Sequence, residues 1–545
     1  MKIIILSIIV SINYLIHSQQ TVGLFSNTIN SYNGYTLFSP TTSTNCYLID
    51  NCGEKVHSWV SSYRPGQSVY LLENGNLLRT QNRNNTTFTS GGTGGGIEIL
   101  DWNSNIVWDH TISSSLECQH HDIEYLPNGN ILAIVWDSKT STEATQAGRE
   151  TSGNTLWSEK IVEIQPDLVN GGGTIVWEWK VWDHLIQDFD NSKDNYGIVG
   201  DAPELVNINF VSGNATNKDW LHINSIAYNE EFDQIILSNH NFSELWIIDH
   251  STTTAEAAAH SGGTYNKGGD ILYRWGNPRT YNQGNFLDQF LYGQHNAYWI
   301  EDSLTDGGMI MTFNNDAGSP IDYSEINTID PPVDSNGNYA YSGGAYSPIG
   351  FHWTYQATNA TDFYSKNISG AQRLANGNTI ICEGATGRFF EVDYSGNIVW
   401  EYINPVGNSI IAQGNTPLQN SVFRCTRYAT DYPGLSGQSL TPLGYIESGS
   451  TFTCDLYVSM ANNTDQMDEI SVYPNPANDK ITISSPITID RVFIYSTTGT
   501  IVYEEITDKA EFSINTYHLS NGLYLIELRS NSGQIHNKKL LIRSD

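Results

Sequence analysis

"RLANGNTII", residues 373–381, carries an apolar run into an Asn-Gly turn and out along a second apolar run. An Asn-Gly pair between two apolar runs marks a hairpin, because both residues tolerate the backbone that a tight turn requires. The phrase recurs as "YLLENGNLL" at 70–78 and "YLPNGNIL" at 125–132. A second unit accompanies it: "IEILDWNSNIVWDH" at 97–110, "IVEIQPDLVNGGGTIVWEW" at 161–179, "LWIIDH" leading to "DILYRWG" between 245 and 276, and "FFEVDYSGNIVWEY" at 389–402. There an apolar strand ends at Asp, turns, and resumes as a strand that closes on Trp. Hairpin plus hairpin makes a four-stranded antiparallel sheet of roughly 40–50 residues, the size of one propeller blade. On that repeat length, Asn45 to Tyr428 holds about six blades, with loop insertions near 180–218 and 315–365. The expected class is all-β: an about six-bladed β-propeller followed by a small C-terminal β-sandwich. An array of sandwiches is the alternative.

Composition agrees with many short strands and tight turns. The 545 residues are 39% hydrophobic and 12% aromatic, with 47 Gly, 31 Tyr and 14 Trp and only 15% charged residues. Asp and Glu number 58 against 26 Lys and Arg, a net charge of -32. Such a field repels phosphate backbones and anionic membranes, so nucleic acid is not an expected partner. It repels small anions too, and an anion site must therefore be locally positive.

The start, "MKIIILSIIVSINYLIHSQQ", has the anatomy of a signal peptide, expected at 1–19. No later stretch reaches the roughly 20 apolar residues of a spanning helix, so no transmembrane segment is expected after cleavage. Export permits disulfides. Of six cysteines, Cys46 and Cys52 in "CYLIDNC" lie close enough in sequence to bridge. From residue 470 the pattern changes to "VYPNPANDKITI", "RVFIYSTTGTIVYEE", "LSNGLYLIELRS" and "KKLLIRSD", alternating strands with turns every 8–12 residues.

Histidines recur at the hairpin starts: "CQHHDIEYL" at 118–126, "WLHINS" at 220–225 and "GQHNAYWI" at 293–300. On a strand His222 and Asn224 share one face, and on the innermost strand of a blade that face is the central channel. Three blades then offer His120 or His121, His222 and His295 toward one axis. Satisfied strand histidines are the plain alternative. A Zn or Cu site with Asp122 is another, but no tight His-x-His or HExxH spacing supports a metal, and none is expected.

The stretches "DWLHINSIAYNEEFDQIILSNHNFSELWIID", "DILYRWGNP", "QFLYGQHNAYWI", "MIMTFNND" and "SGAQRLANGNTIICEGATGRFFEVDYSGNIVWEYINP" resemble, in order, motifs of the bacterial arylsulfotransferases. That resemblance implies a six-bladed propeller that moves a sulfuryl group from an aryl sulfate to a phenol, with neither cofactor nor nucleotide sulfate donor. It makes His222 and His295 active-site histidines. The phrases after Ile470 resemble the C-terminal sorting domain of type IX secretion cargo. They imply the type IX machinery as a partner and a secreted or outer-membrane surface location, reached through the periplasm. The expected domains are 1–19 signal peptide, 20–460 propeller, 461–469 linker and 470–545 sorting domain.

Sulfuryl transfer spreads charge over oxygens, so it needs positioning, positive donors and proton management. Imidazole serves as nucleophile, acid or base, and Arg forks match sulfate oxygens. His222 and His295 are thus expected to stabilise charge and shuttle protons. Where the family carries an Asp-Asn-Gly run followed by Arg, this chain has "FNNDAGSP" with Asn314 and Asn315. Where its nucleophilic His is due, "KNISGAQRL" offers Ser369, and the nearest upstream His is His352 in "GFHWTY". Either His352 takes the nucleophile's role through the insertion, and it is the expected candidate, or the sulfohistidine step is missing; His121, Asn224, Asn314, Arg373, Arg388 and Arg424 are expected substrate-binding residues, with Arg427 also in range. The competing reading is a non-catalytic surface propeller that binds glycans or aromatic ligands through its Trp- and Tyr-rich faces.

Overall fold

The computed structural model describes residues 20–151, 155–211, 217–318, 321–450, 454, 470–496, 500–530 and 535–543. The expected signal peptide at 1–19 and linker at 461–469 lie outside the described residues. The chain divides into two compact units between Leu456 and Tyr457.

The first unit is propeller-like and almost wholly β. Its strands group into four-stranded antiparallel sets, each opening on an inner strand: Pro65–Leu71, Glu117–Tyr125, Ile223–Asn229, His295–Trp299, Gly370–Arg373 and Val422–Ala429. Each inner strand touches the next, and the last returns to the first, so the six close a ring. The repeated phrase makes the same turn three times. Leu72, Leu126 and Leu374 each donate N–H to the Asn four residues on, at 2.8, 2.9 and 2.8 Å, and accept from the Gly three residues on. Gly75, Gly129 and Gly377 sit at φ +84°, +86° and +86°, where only glycine is unstrained. In the second unit Asp101 and Asp393 accept from backbone N–H groups of the turn they open. The closing Trp108, Trp179 and Trp400 are buried between sets.

Closure joins the two ends of this unit. Val422–Ala429 is the inner strand of the set completed by Gly34–Pro40, Asn45–Ile49 and Lys55–Val60, with Gly34 opposite Ala429. Gly23–Asn27 adds a fifth strand outside Ile398–Ile403. Cys52 bonds to Cys454 across 402 residues, so the expected Cys46–Cys52 bridge does not form. Cys46 faces the core beside Trp59, four residues up its strand from the turn that precedes Cys52, which at about 3.3 Å per residue puts it far beyond bridging range. Cys46, Cys118, Cys382 and Cys425 are buried free thiols.

Strict alternation fails where it matters most. The inner strands bulge at one end, with register shifts between Pro65 and Val69, Ile223 and Ser225, and His295 and Tyr298, and in the strand opposite Ala133–Val135. Beside these bulges Gln67, His121, His222 and Asn296 take positive φ, as do Ile368 and Ser369 just before Gly370–Arg373. His222 thus precedes its strand instead of pairing with Asn224 on one face. Bulges re-aim side chains, and left-handed non-glycine residues cluster where structure over-determines them.

The second unit is one bent, barrel-like five-stranded sheet in which Lys480–Ser496 pairs with Ser471–Tyr473, Ile501–Asn515 and Gly522–Ser530. It has its own core of Ile481, Ile483, Val492, Ile494, Ile526, Leu528 and Leu540. The small C-terminal β-unit closes in this barrel-like way because the long strand Lys480–Ser496 carries irregular register between Ser484 and Arg491 and serves both ends.

Candidate active site

At the bulged end of the ring four imidazoles stand in a row. Ring centres are 4.6 Å apart for His121 and His222, 5.3 Å for His222 and His240, and 5.4 Å for His240 and His295. The structure therefore brings His121, His222 and His295 together, and inserts between the last two a histidine that strand periodicity did not single out. His240 follows the strand Gln234–Asn239, in the turn back toward the ring. The signal for it lay in "LSNHNF", another polar pair at a strand end.

Each ring is fixed by a different partner. His222 Nδ1 meets Asp219 Oδ2 at 2.5 Å, and the other Asp219 oxygen accepts from Trp136 Nε1 at 3.1 Å. Burial lowers the affinity of His222 for a proton, but the Asp219 charge and hydrogen bond outweigh it and raise its pKa above the ordinary 6.5. Asp219 is held down at about 2: burial opposes ionisation, and the His222 charge and hydrogen bond overcome it. His222 Nε2 is left without a hydrogen-bond partner among the described residues. His240 Nδ1 lies 2.9 Å from Asn241 Oδ1, which places its hydrogen on Nδ1 and its lone pair on Nε2. Burial, then the nearby His222, push it down to about 4, so it stays neutral.

His295 is closed off. Its Nδ1 donates to Asn315 Oδ1 at 2.8 Å and its Nε2 accepts from the Ile368 N–H at 3.2 Å. Burial first, and His240 second, hold it well below 6.5, so it is a neutral wall. His121 shares a 2.8 Å contact between its Nδ1 and that of His120, which stacks on Trp136 at 3.9 Å. The run "SGGTGGG" at 90–96 explains how a loop lies against them. A Cβ on Gly92, at φ +82°, would stand 2.0 Å from the His121 ring.

Positive charge enters from Val422–Ala429. Arg424 Nη1 donates to Asp122 Oδ2 at 3.0 Å and to Tyr70 Oη at 2.9 Å, and Tyr70 donates to the other Asp122 oxygen at 2.6 Å. Arg424 Nε and Nη2 are buried with no partner among the described residues. A guanidinium edge left open in this way is a ready anion donor, and in a chain of net charge -32 it supplies the local positive charge an anion needs.

The remaining expected residues lie elsewhere. His352 is on the outermost edge of its set, 42% exposed, 3.6 Å from Asp306; the insertion carries it outward, so it cannot meet the other histidines. Arg373 points away from the row into a buried pair with Asp306 at 2.6 Å, under Trp353 and Tyr394. Arg388 pairs with Glu383 and Glu401, and Arg427 spans Thr36, Asn51 and Glu391. Asn314 pins the 290–292 loop through Tyr292 N–H and Phe290 O. Asn224 is buried and donates to Gln294 O at 2.7 Å, joining two inner strands.

Several known proteins and families show likeness to parts of this chain. A stretch of 86 residues is 30% identical to the ulvan lyase NLR42 of Nonlabens ulvanivorans, taking in 15% of this chain and 16% of that protein. Among solved structures, a protein of unknown function from Bacteroides caccae is 10% identical with a TM-score of 0.40, over 73% of this chain and 99% of that one. The Dos1 propeller is 9% identical at 0.29, over 72% and 78%. Neither score bears on activity. The secretion system C-terminal sorting domain matches residues 471–543, which marks the chain for the cell surface or for release. No described helix is long and apolar enough to cross a membrane. The arylsulfotransferase (ASST) family model matches residues 18–415, most of the chain and all four histidines of the row, and the chain belongs to the arylsulfotransferase family.

Proposed function

We propose that the chain is an exported sulfotransferase that moves a sulfuryl group from an aryl sulfate to a phenol at the histidine row. The observation that carries this reading is the pairing of a neutral imidazole, His240, with an Asp-supported one, His222, whose ring centre is 5.3 Å away. His240 Nε2 attacks sulfur as the aryl S–O bond breaks. His222 Nε2–H gives its proton to the departing phenolate. The acceptor phenol then returns a proton to His222 and attacks sulfur, and the S–N bond at His240 breaks. Arg424 faces the sulfate oxygens, and His121 and His295 wall the space. His352, expected as the nucleophile, has no part in this scheme.

The scheme sets a pH profile. Turnover falls on the acid side as His240 protonates near pH 4, and on the alkaline side as His222 loses the proton that Asp219 holds on it beyond the ordinary imidazole range. The test is a chromogenic aryl sulfate with and without a phenol, followed by intact mass after donor alone. A gain of one sulfuryl group in the wild type, absent in His240→Ala, supports the scheme; donor cleavage that survives in that variant sinks it.

A second reading, ligand binding without catalysis, is favoured by one observation. The opposite mouth of the ring holds a cavity of about 720 Å³ lined by Tyr70, Tyr125, Tyr428 and Tyr432, apt for an aromatic or sugar face. If no aryl sulfate is cleaved at all, this reading replaces the first.

A further inference from the structure

His184, His260 and Asp270 meet outside the ring. His184 ends the short turn Val181–His184, and His260 and Asp270 belong to the segment that follows the helix Thr254–Ala257. The Nδ1 atoms of both histidines approach one and the same oxygen, Asp270 Oδ1, at 2.8 and 2.7 Å. The three atoms lie within 4.8 Å of one another.

The surroundings are built around the inner histidine. His184 is fully buried and stacks on Trp179 with ring centres 5.8 Å apart and planes 10° off parallel. Trp179 Nε1 donates to Gly269 O at 2.7 Å. His184 Nε2 donates to Ala257 O at 2.8 Å. A Cβ at position 269 would stand 2.0 Å from that carbonyl oxygen and 2.5 Å from Nε2, so glycine there lets the carbonyl and ring meet. A backbone carbonyl on one ring nitrogen is what fixes the tautomer of a metal-binding histidine and turns its other nitrogen outward as the ligand. Without an ion, both nitrogens of His184 face oxygen acceptors and one carboxylate oxygen serves two N–H groups. A cation at the centre removes that crowding.

We propose that His184 Nδ1, His260 Nδ1 and Asp270 Oδ1 bind one divalent ion of the zinc class, with solvent as the fourth ligand. Two imidazoles and a carboxylate suit zinc, cobalt or nickel, whereas magnesium and calcium prefer oxygen alone. Tetrahedral ligands about 2.0–2.1 Å from zinc stand about 3.3 Å from each other, so each contact to Asp270 opens by about half an ångström. His260, with a side chain 62% exposed, is free to make that move. The ion ties together loops whose ligands stand 86 residues apart in the chain. Only a neutral imidazole coordinates, so binding displaces any second proton that the two rings carry and tightens as pH rises. None of this depends on the reading of the histidine row.

Full-length protein stripped with a chelator is titrated with zinc by calorimetry in two buffers of different ionisation enthalpy. The wild type takes up one equivalent at this site with proton release, and cobalt at the same site gives a tetrahedral visible spectrum. Because the row of channel histidines is a second potential zinc binder, His260→Ala decides the assignment. It loses that equivalent by at least about 100-fold in affinity, the upper end of what outer-shell changes cause, while the metal-free melting temperature stays at the wild-type value. Asp270→Asn gives the same loss. A His260→Ala protein that binds zinc as tightly as wild type overturns the proposal, as does a wild type that binds none.

Discussion

Glu117–Tyr125 presents His121 at its bulge and Glu124 near its hairpin end, and the two ends of the ring differ in the same way. At the bulged end, left-handed residues turn His121 and His222 inward, and the imidazoles of four segments converge. At the hairpin end the strands alternate regularly, and Tyr70, Glu73, Glu124, Tyr125, Glu230 and Tyr428 line an acidic, aromatic cavity. Between them the Tyr70–Asp122–Arg424 cluster closes the channel. Glu124 is pushed up to about 8, by burial first and by Asp122 second, with Arg424 opposing. The contrast teaches that composition does not separate site from scaffold, since both ends are polar and aromatic. Backbone does. One or two extra residues in an inner strand convert an alternating row into a convergent one.

The largest expected effect breaks the contrast at its chemical end. His222→Ala or Asp219→Asn lowers kcat by about 10²–10⁴-fold with the fold retained, the range spanned by removal of a positioned acid or its orienting partner. Steady-state rates with an aryl sulfate check this, and Asp219→Asn also shifts the alkaline limb of the pH profile. A rate within threefold of wild type would move the chemistry away from the row.

Arg424→Gln tests the partition between the two ends. It leaves Asp122, which is fully buried, without its cation, and losing one member of a buried pair costs about 3–5 kcal/mol. Denaturant unfolding measures that cost. The double variant with Asp122→Asn recovers much of the stability but not the affinity for the donor, so KM remains high.

The hairpin end holds a stabilising device of its own. His250 bridges Asp233 at 2.7 Å and Glu163 at 3.2 Å. Burial lowers its proton affinity, but those two hydrogen bonds and charges raise the pKa to about 9 from 6.5. A raised folded-state value contributes fully below the unfolded value and is lost on rising through the folded one. His250→Ala therefore destabilises by on the order of 3 kcal/mol at pH 6 and by little near pH 10. Equal losses at both pH values would show that packing against Trp177 carries the effect.

The smallest expected effect sharpens the comparison by its absence. His352→Ala and Glu124→Gln each change kcat by less than about twofold, since neither side chain reaches the row. A larger drop in Glu124→Gln, with loss of a pH step near 8, would put the tyrosine-lined mouth into the reaction.

Much of the architecture was legible because it repeats. The Asn-Gly phrases and the Asp-to-Trp units name their own hairpins, and "WLHINS", "GQHNAYWI" and "CQHHDIEYL" name three of the four rings. What escaped is what depends on bulges and on chain ends. Alternation put His222 and Asn224 on one face, whereas the left-handed backbone at His222 separates them. Sequence order made His352 the nearest nucleophile, but proximity along the chain says nothing of an insertion that runs to the outer edge. Asp219 carries no signal in the sequence, because an Asp three residues before a His gains meaning only when the backbone folds it onto Nδ1. Cys52 found a partner at the far end of the unit, which no spacing rule reaches.

Gly34 stands opposite Ala429, and that pairing governs when the ring can exist. Strands made early, among them Gly34–Pro40, lack their inner neighbour until the last strand of the unit has been synthesised and delivered. Leu37 and Phe38, buried in the finished molecule, must remain exposed for that interval. Arg424, with its open guanidinium edge, arrives on that same last strand. A chain cut short of Ala429 is therefore unclosed, and refolding is slow, because its decisive contact is among the longest-range in the molecule. For a protein bound for export the delay is useful: the molecule acquires its charge-bearing site only with the step that seals it.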